Sequence, residues 1–219
     1  GVPSVSETWH WLAEHALCLS LAPPPDVLTQ RRLLAMAAQL RGTPGLVDAV
    51  PGLHNLTLMT DAARLPPADL EALARRAWRT ARPARETLRE RALRVRYGGA
   101  EGPDLADCAG RSGMDIEAFV AAHAGARYEV ACLGFLPGFA YLLGLPEALQ
   151  QPRRASPRLQ VPAGSVAIGG AQTGLYPIES PGGWQLIGRC MQPLFDARLE
   201  PPCWLLPGDS VRFEPEDHA

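Results

Sequence analysis

The residue types best suited to chemistry lie between His123 and Arg189, in a stretch that combines cationic, neutral polar and aromatic side chains. The imidazole of His123 titrates near neutral pH and could exchange protons with a ligand, or, within AAHAG, it could cap the end of a helix. The guanidinium of Arg154, within PRR, has the fork geometry that binds a carboxylate or phosphate. A solvated loop or an ion pair with Glu147 is an equal alternative for Arg154.

Neutral polar groups follow in the loop after residue 171. Gln172, Tyr176 and Ser180 offer amide and hydroxyl groups. These groups suit a lactam or ureido ligand, because such a ligand has one donor edge and one acceptor edge. The alternative is turn chemistry, in which a hydroxyl bonds to its own backbone.

The segment 133–189 contains ten Gly and seven Pro, yet it is not polar as a linker would be. Glycine allows positive φ and proline presets turns, so this composition indicates long ordered loops on a β scaffold, where function is often located. Four aromatic residues could line a pocket or a contact between chains. Alternatively they could fill a barrel core, and we expect at least two of the four to do so. They are Phe135, Phe139, Tyr141 and Trp184.

Composition excludes several kinds of chemistry. The 219 residues include 21 basic residues, all arginine, so no lysine is present for a P-loop, a Schiff base or biotin attachment. The five cysteines show no metal-ligand spacing, so we predict buried free thiols and no metal site. The net charge of −2 gives no reason to expect nucleic acid, and no apolar run is long enough for a membrane span. Without a visible signal peptide, we expect a cytoplasmic protein.

The elements that must position these residues fall into two parts. Residues 1–90 follow the order βαββαβ, the pattern of a ferredoxin-like domain. Residues 91–219 contain two short helices and then short strands between Gly and Pro turns, which indicates a barrel or sandwich. The stretch 9–22 is predicted to hold one or two strands. The other predicted strands are 47–50, 55–59, 89–97, 128–133, 161–162, 165–168, 185–188, 203–206 and 210–213, and the predicted helices are 27–41, one from residue 66, one from about residue 104 and 115–123. We therefore predict an α+β chain with two domains.

A series of short motifs occurs in a fixed order across residues 97–213. They include YGG at 97–99, GPDL at 102–105, LGFLPGFAYL at 133–142, PRRASPR at 152–158, VPAGSVAI at 161–168, QTGLYPIESPGGWQLIGR at 172–189 and PGDSVRF at 207–213. In this order they closely resemble the 5-oxoprolinase B-subunit family, also described as allophanate hydrolase subunit 1 and as the sporulation kinase inhibitor. They are also similar to the carboxyltransferase domain of urea carboxylases.

The resemblance implies a ferredoxin-like domain followed by a cyclophilin-like β-barrel. It also implies two partners, a C-type subunit (allophanate hydrolase subunit 2) and an A-type subunit. Together these chains open 5-oxo-L-proline to L-glutamate with ATP. Because the chain has no lysine, we expect ATP to bind mainly on a partner and no biotin on this chain. Because its Cys and His residues lack metal-ligand spacing, we also expect no metal.

Taken with the resemblance, the residues above give a site hypothesis. We expect three residues to be catalytic: His123, Arg154 and Gln172. We expect five others to bind substrate: Phe135, Pro137, Tyr176, Ser180 and Arg189.

Two other functions remain open from the sequence. One is a regulatory module that grips a sensor histidine kinase through exposed apolar loop residues such as Phe135 and Leu142. The other is a role in an enzyme that acts on a ureido substrate, as in allophanate or urea chemistry, which would need a biotin carrier on another chain.

Overall fold

The computed structural model describes residues 6–84 and 89–216. The chain divides into two compact units, Gly1–Glu86 and Thr87–Ala219. Among the residues described, no helix is both long enough and apolar enough to cross a membrane.

The first unit is a four-stranded antiparallel sheet, in the order β1-β2-β4-β3, with two helices. Its elements are β1 (Glu7–Ala13), β2 (Ala16–Leu21), α1 (Val27–Leu40), β3 (Leu46–Gly52), β4 (Asn55–Thr60) and α2 (Pro67–Thr80). Asp26 caps α1 as its sequence position suggests, with a side-chain oxygen accepting from the Thr29 amide at 2.8 Å. Alternate strand residues such as Leu17 and Leu56 share one core with helix residues such as Leu33.

The second unit is built around a closed barrel of seven strands, in the order β10-β7-β6-β13-β5-β12-β9. Its strands are β5 (Glu90–Tyr97), β6 (Tyr128–Leu133), β7 (Ala140–Leu143), β8 (Arg158–Val161), β9 (Ser165–Gly169), β10 (Gln172–Leu175), β11 (Ser180–Gly182), β12 (Gln185–Arg189) and β13 (Ser210–Pro215). Its helices are α3 (Leu105–Arg111) and α4 (Ile116–Gly125). Strands β8 and β11 pair outside the barrel, and β5 and β13 pair in parallel. The α+β class and the closed barrel are confirmed, while the cyclophilin-like label stays a prediction from the resemblance.

The strand order of the first unit corrects the predicted βαββαβ pattern. The stretch 9–22, predicted to hold one or two strands, contributes to two, β1 and β2, and β1 lies at the sheet edge beside β2. The strand predicted over 89–97 belongs instead to the barrel, where Leu93 and Val95 are buried. The expectation that it completes the first sheet was therefore wrong, because its apolar side chains belong to the core of the second unit.

A second correction concerns the stretch 203–206, which is not a strand. Cys203 makes only an isolated bridge to Phe195. Pro201 and Pro202 precede this stretch and Pro207 follows it, and proline has no amide hydrogen for a sheet ladder.

Candidate functional site

An open cleft of about 340 Å³ lies in the second unit, and we call it the aromatic cleft. Its lining residues are Phe135, Phe139, Tyr141, Arg153, Arg154, Pro157, Tyr176, Pro181, Gly182, Gly183 and Trp184. They come from the loop between β6 and β7, from β7 itself, from the loop before β8 and from the region of β11. The Gly- and Pro-rich segment thus forms an ordered, concave surface.

The cleft owes its shape to a cluster of aromatic rings around Phe139. This buried ring makes edge-to-face contacts with Tyr141, Tyr176 and Trp184, at centroid distances of 4.9, 5.0 and 5.5 Å. Phe135 contacts it edge-to-face from the solvent side at 5.6 Å and is 63% exposed. Edge-to-face contacts fix the rings relative to one another, so the cleft is preformed.

Glycines in the neighbouring strands make room for these rings. A Cβ atom on Gly169 would lie 2.4 Å from the indole Cδ2 of Trp184, and one on Gly182 would lie 2.3 Å from the hydroxyl of Tyr176. A Cβ atom on Gly174 would lie 2.7 Å from both Phe139 Cζ and Trp184 Cζ3. Because these distances are shorter than van der Waals contact, glycine is needed at these positions to admit the cluster.

Alanine at Gly174 is expected to lower the free energy of unfolding by about 2 kcal/mol, since the added methyl overpacks the aromatic cluster. Urea unfolding followed by circular dichroism measures this loss. The matched control is Gly110→Ala in α3, where a Cβ meets no atom within 4 Å and alanine favours the helix. Equal stability of the G174A variant and the parent chain would contradict the expectation.

Arg153 is the cationic group that faces the aromatic cleft. Its guanidinium carbon lies 5.7 Å from the centroid of the Trp184 ring, and the side chain is exposed. No carboxylate among residues 6–84 and 89–216 forms a salt bridge with it. Burial raises the pKa of both Tyr141 and Tyr176, and the charge of Arg153 opposes that rise. Both phenols are therefore neutral at physiological pH. Tyr141 is half-buried and can hydrogen-bond a ligand, whereas Tyr176 is buried and bonds to the backbone of Trp184.

Arg154 also lines the cleft, but its charge is already compensated. Its Nη1 donates to Asp104 Oδ1 at 3.0 Å, and its backbone amide donates to the Gly183 carbonyl at 2.7 Å. Arg158 donates to both carboxylate oxygens of Asp104, each at 2.8 Å, and Asp104 Oδ2 also accepts from the Leu186 amide at 2.7 Å. The Asp104 carboxylate therefore anchors the loop that carries Arg153.

The ionisation of Asp104 follows from these contacts. Burial on its own raises the pKa of Asp104. Hydrogen bonds from Arg158 and the Leu186 amide, together with the charges of Arg158 and Arg154, outweigh burial and leave the pKa below its ordinary value. The carboxylate is therefore ionised and acts as an anchor rather than as a proton acceptor.

Only some of the predicted site residues meet in the aromatic cleft. Phe135, Arg154 and Tyr176 line it. Ser180 lies next to the lining residue Pro181, but it is buried and its hydroxyl donates to the Pro181 carbonyl at 3.1 Å. The alternative of turn chemistry therefore describes Ser180 better than substrate binding does.

Three other predicted residues lie outside the cleft lining. Pro137 is exposed in the loop between β6 and β7, and Gln172 is half-buried at the start of β10. Arg189 lies at the end of β12, where its Nε donates to the Ala163 carbonyl at 2.8 Å, and it lines a separate cleft of about 230 Å³ together with Arg158. These side chains are not brought together with Arg153.

His123 is sealed in the barrel interior. Its ring has no exposed surface, stacks on Phe213 at 4.9 Å, and bonds to the Tyr97 hydroxyl at 2.8 Å and the Thr173 hydroxyl at 3.1 Å. Burial lowers its pKa to about 3. The geometry thus argues against the predicted acid–base role, because a neutral ring enclosed by the core reaches no ligand; His123 is a core residue.

Sequence reasoning undervalued two residues of the site. Arg153 stands beside Arg154 in PRR, so composition alone could not tell which of the two is paired. Asp104 lies at the predicted start of a helix and also within the GPDL motif, which is the sequence signal for its role. The pairing partners are 50 residues apart in the chain, which is why spacing did not reveal them.

Comparison with known proteins places the chain in a family. A family model described as carboxyltransferase domain, subdomain C and D, matches residues 7–205. The chain is 44% identical over 205 residues to the B subunit of 5-oxoprolinase from Escherichia coli O157:H7, with 94% of both chains covered. The chain belongs to the 5-oxoprolinase B-subunit family. The predicted resemblance is confirmed, and every lining residue of the aromatic cleft lies in the motifs at 133–142, 152–158 and 172–189 that carried it.

Solved structures extend the comparison for this member of the 5-oxoprolinase B-subunit family. The crystal structure of TTHA0988 is 39% identical with a TM-score of 0.80, covering 93% of this chain but only 40% of the TTHA0988 chain. The chain therefore spans less than half of that protein. The K. lactis urea amidolyase structure, with 18% identity and a TM-score of 0.80 over 97% of this chain and 15% of its own, shares the fold.

Proposed function

We propose that this chain is a non-autonomous subunit of an ATP-dependent 5-oxoprolinase and that its aromatic cleft binds 5-oxo-L-proline. The relative in E. coli O157:H7, named as the B subunit of 5-oxoprolinase and similar over 94% of both chains, supports the reaction. The observation that carries the assignment of the cleft is the exposed Arg153 guanidinium above Trp184, within a preformed aromatic surface.

The chemistry of 5-oxoproline matches these groups one by one. Its carboxylate suits the fork of Arg153, which can donate two parallel hydrogen bonds. Its flat five-membered ring suits the aromatic faces around Phe139. Its lactam N–H and C=O suit neutral phenols such as Tyr141, whose hydroxyl bonds to no other described residue.

Binding and ring opening are divided between chains in this proposal. The lining of the aromatic cleft supplies a cation, phenols and aromatic surface, which are groups that hold and orient a small anion. The phosphate chemistry of ATP is assigned to an A-type partner, and a C-type partner completes the site beside the cleft. Arg153, rather than Arg154, is assigned to bind the substrate carboxylate. Arg154 holds the loop before β8 in place through its ion pair with Asp104.

In the reconstituted complex, Arg153→Gln is expected to raise the KM for 5-oxo-L-proline about tenfold or more, because a charge-assisted bond to the carboxylate is lost. The measurement is ATP-dependent release of L-glutamate with the A-type and C-type partners present. The control is Arg94→Gln, which removes an exposed arginine on β5 outside the cleft lining. An unchanged KM in the R153Q complex would contradict the assignment of the cleft.

Omitting each chain of the complex in turn tests the larger claim. Glutamate release that requires this chain supports the 5-oxoprolinase assignment. ATP-dependent turnover of allophanate or urea without glutamate release would replace the lactam by a ureido substrate.

If the assembled complex turns over none of these substrates, inhibition of a sensor histidine kinase becomes the function to test. Two apolar residues were expected to be exposed for that contact, and the structure bears this out for one of them. Phe135 is 63% exposed, whereas Leu142 lies buried in β7, where its side chain belongs to the barrel core. Any kinase contact would therefore use Phe135 without Leu142.

A further inference from the structure

A second cleft in the same unit has no role in the proposed reaction, and we call it the proline-rich cleft. It has a volume of about 370 Å³ and shares no lining residue with the aromatic cleft. Its apolar wall includes Phe195, Leu199, Pro202 and Trp204, and Arg89 and Arg91 reach it from the start of β5. Such a mixture of apolar surface with a few charged groups is typical of small-molecule sites.

Arg89 is paired with an internal carboxylate. Its Nε donates to Asp209 Oδ1 at 2.9 Å and its Nη2 donates to Asp209 Oδ2 at 2.5 Å. Asp209 is buried, and its Oδ2 also accepts from the Leu206 amide at 2.9 Å. This pair is electrically neutral, so it adds no net charge to the cleft.

Arg91 has no such partner. Its guanidinium carbon lies 4.8 Å from the centroid of the Trp204 ring, so the ring holds the cation in place. Its Nε is buried without a hydrogen-bond partner, and no carboxylate within residues 6–84 and 89–216 forms a salt bridge with it. A buried Nε without a partner is costly, and Arg91 is only half-buried, which makes its guanidinium the group in this cleft that a ligand anion would compensate.

The acidic residue of the cleft does not fill this role. Asp196 bonds through both carboxylate oxygens to Arg198, at 2.9 and 2.7 Å, and these bonds lower its pKa. With Arg89 and Asp196 each neutralised by its own partner, Arg91 leaves the cleft with one uncompensated positive charge.

We propose that the proline-rich cleft binds a small monocarboxylate carried on an apolar ring. One free guanidinium matches one carboxylate, with two parallel hydrogen bonds from its fork. The ring of the ligand packs between Leu199, Phe195 and the Trp204 indole, whose face already contacts Arg91. The ligand therefore completes the Arg91–Trp204 contact by adding the missing anion.

Benzoate and its neutral counterpart benzamide test the site directly on the full chain by isothermal titration calorimetry. Benzoate is expected to bind at least about tenfold more tightly than benzamide, because only the carboxylate is a charged acceptor. Arg91→Gln and Trp204→Leu are each expected to weaken benzoate binding about tenfold or more. Arg94→Gln, on the same strand, is the matched control and leaves the affinity unchanged.

Thermal melting of each variant separates loss of binding from loss of folding. Folded R91Q and W204L variants that bind benzoate as the parent chain does would overturn the proposal, as would absence of any benzoate binding to the parent chain. A loss of benzoate binding in R153Q, with R91Q unaffected, would place the anion in the aromatic cleft and also overturn it. Because the assay needs no partner chain, its result is separate from that of the 5-oxoprolinase assay.

Discussion

Alanine at Asp104 is expected to lower the free energy of unfolding by about 3 kcal/mol, because it breaks a buried charge cluster from one side. The carboxylate is 6% exposed, whereas its partners Arg154 and Arg158 are 34% and 22% exposed, so solvent compensates part of the loss. The Leu186 amide also loses its acceptor. Chemical unfolding of the isolated chain measures the effect.

The same substitution is expected to reduce glutamate release in the reconstituted complex, since Asp104 anchors the loop that carries Arg153. Asp104→Asn is the matched variant, because its amide oxygen can still accept from the Leu186 amide while the ion pairs are lost. We expect D104N to lie between the parent chain and D104A in stability. Stability of D104A within about 0.5 kcal/mol of the parent would show that the cluster does not hold the loop.

Acidification from pH 7 to pH 4 is expected to lower the free energy of unfolding by about 3 kcal/mol through His123 alone. The folded state holds this ring neutral until the pH reaches about 3, whereas the unfolded chain takes up the proton near pH 6.5. Between these values unfolding binds a proton, so acid favours the unfolded state. The stability is complete above about pH 6.5 and is lost as the pH falls toward 3.

Comparing the parent chain with His123→Gln isolates this contribution, because both chains share every other titrating group. The difference between their unfolding free energies should shrink steadily from pH 7 to pH 4. Should the variant fail to fold, NMR titration of the His123 ring in the parent chain gives the same information. A ring that titrates with a midpoint above pH 5 would refute the assignment of His123 to a dry core.

The sequence was a good guide wherever local pattern decides the structure. Asp26 and Asp115 cap α1 and α4 because a short acidic side chain before a helical pattern satisfies free amides. Glycine and proline among aromatic residues marked the segment that forms the aromatic cleft. The motifs at 133–142 and 172–189 identified the family, since their order cannot arise from composition alone.

Long-range pairing decided the rest, and local pattern does not encode it. Apolar and polar residues alternate along 89–97, and this pattern fits a strand in the sheet of either unit. Only its pairing with β13 and β12 assigns the strand to the barrel. Arg153 and Arg154 are adjacent residues of the same type, so the sequence does not distinguish their roles. In the structure Asp104 pairs with Arg154, and Arg153 is left available to a ligand. The residue type of His123 suggested proton transfer. Its burial depends on contacts with Tyr97 and Phe213, which come from two different strands and cannot be inferred from the local sequence.

The parallel pairing of β5 with β13 has a consequence for how the chain folds. Glu90 pairs with Ser210, 120 residues later, and β13 also pairs with β6. During synthesis, β5 and β6 therefore have unsatisfied edges until β13 leaves the ribosome, and such edges favour aggregation. Contacts so distant in the chain also slow folding, because a large loop must close before they form. The barrel therefore closes only when β13 joins it, bringing Val211 and Phe213 into the core.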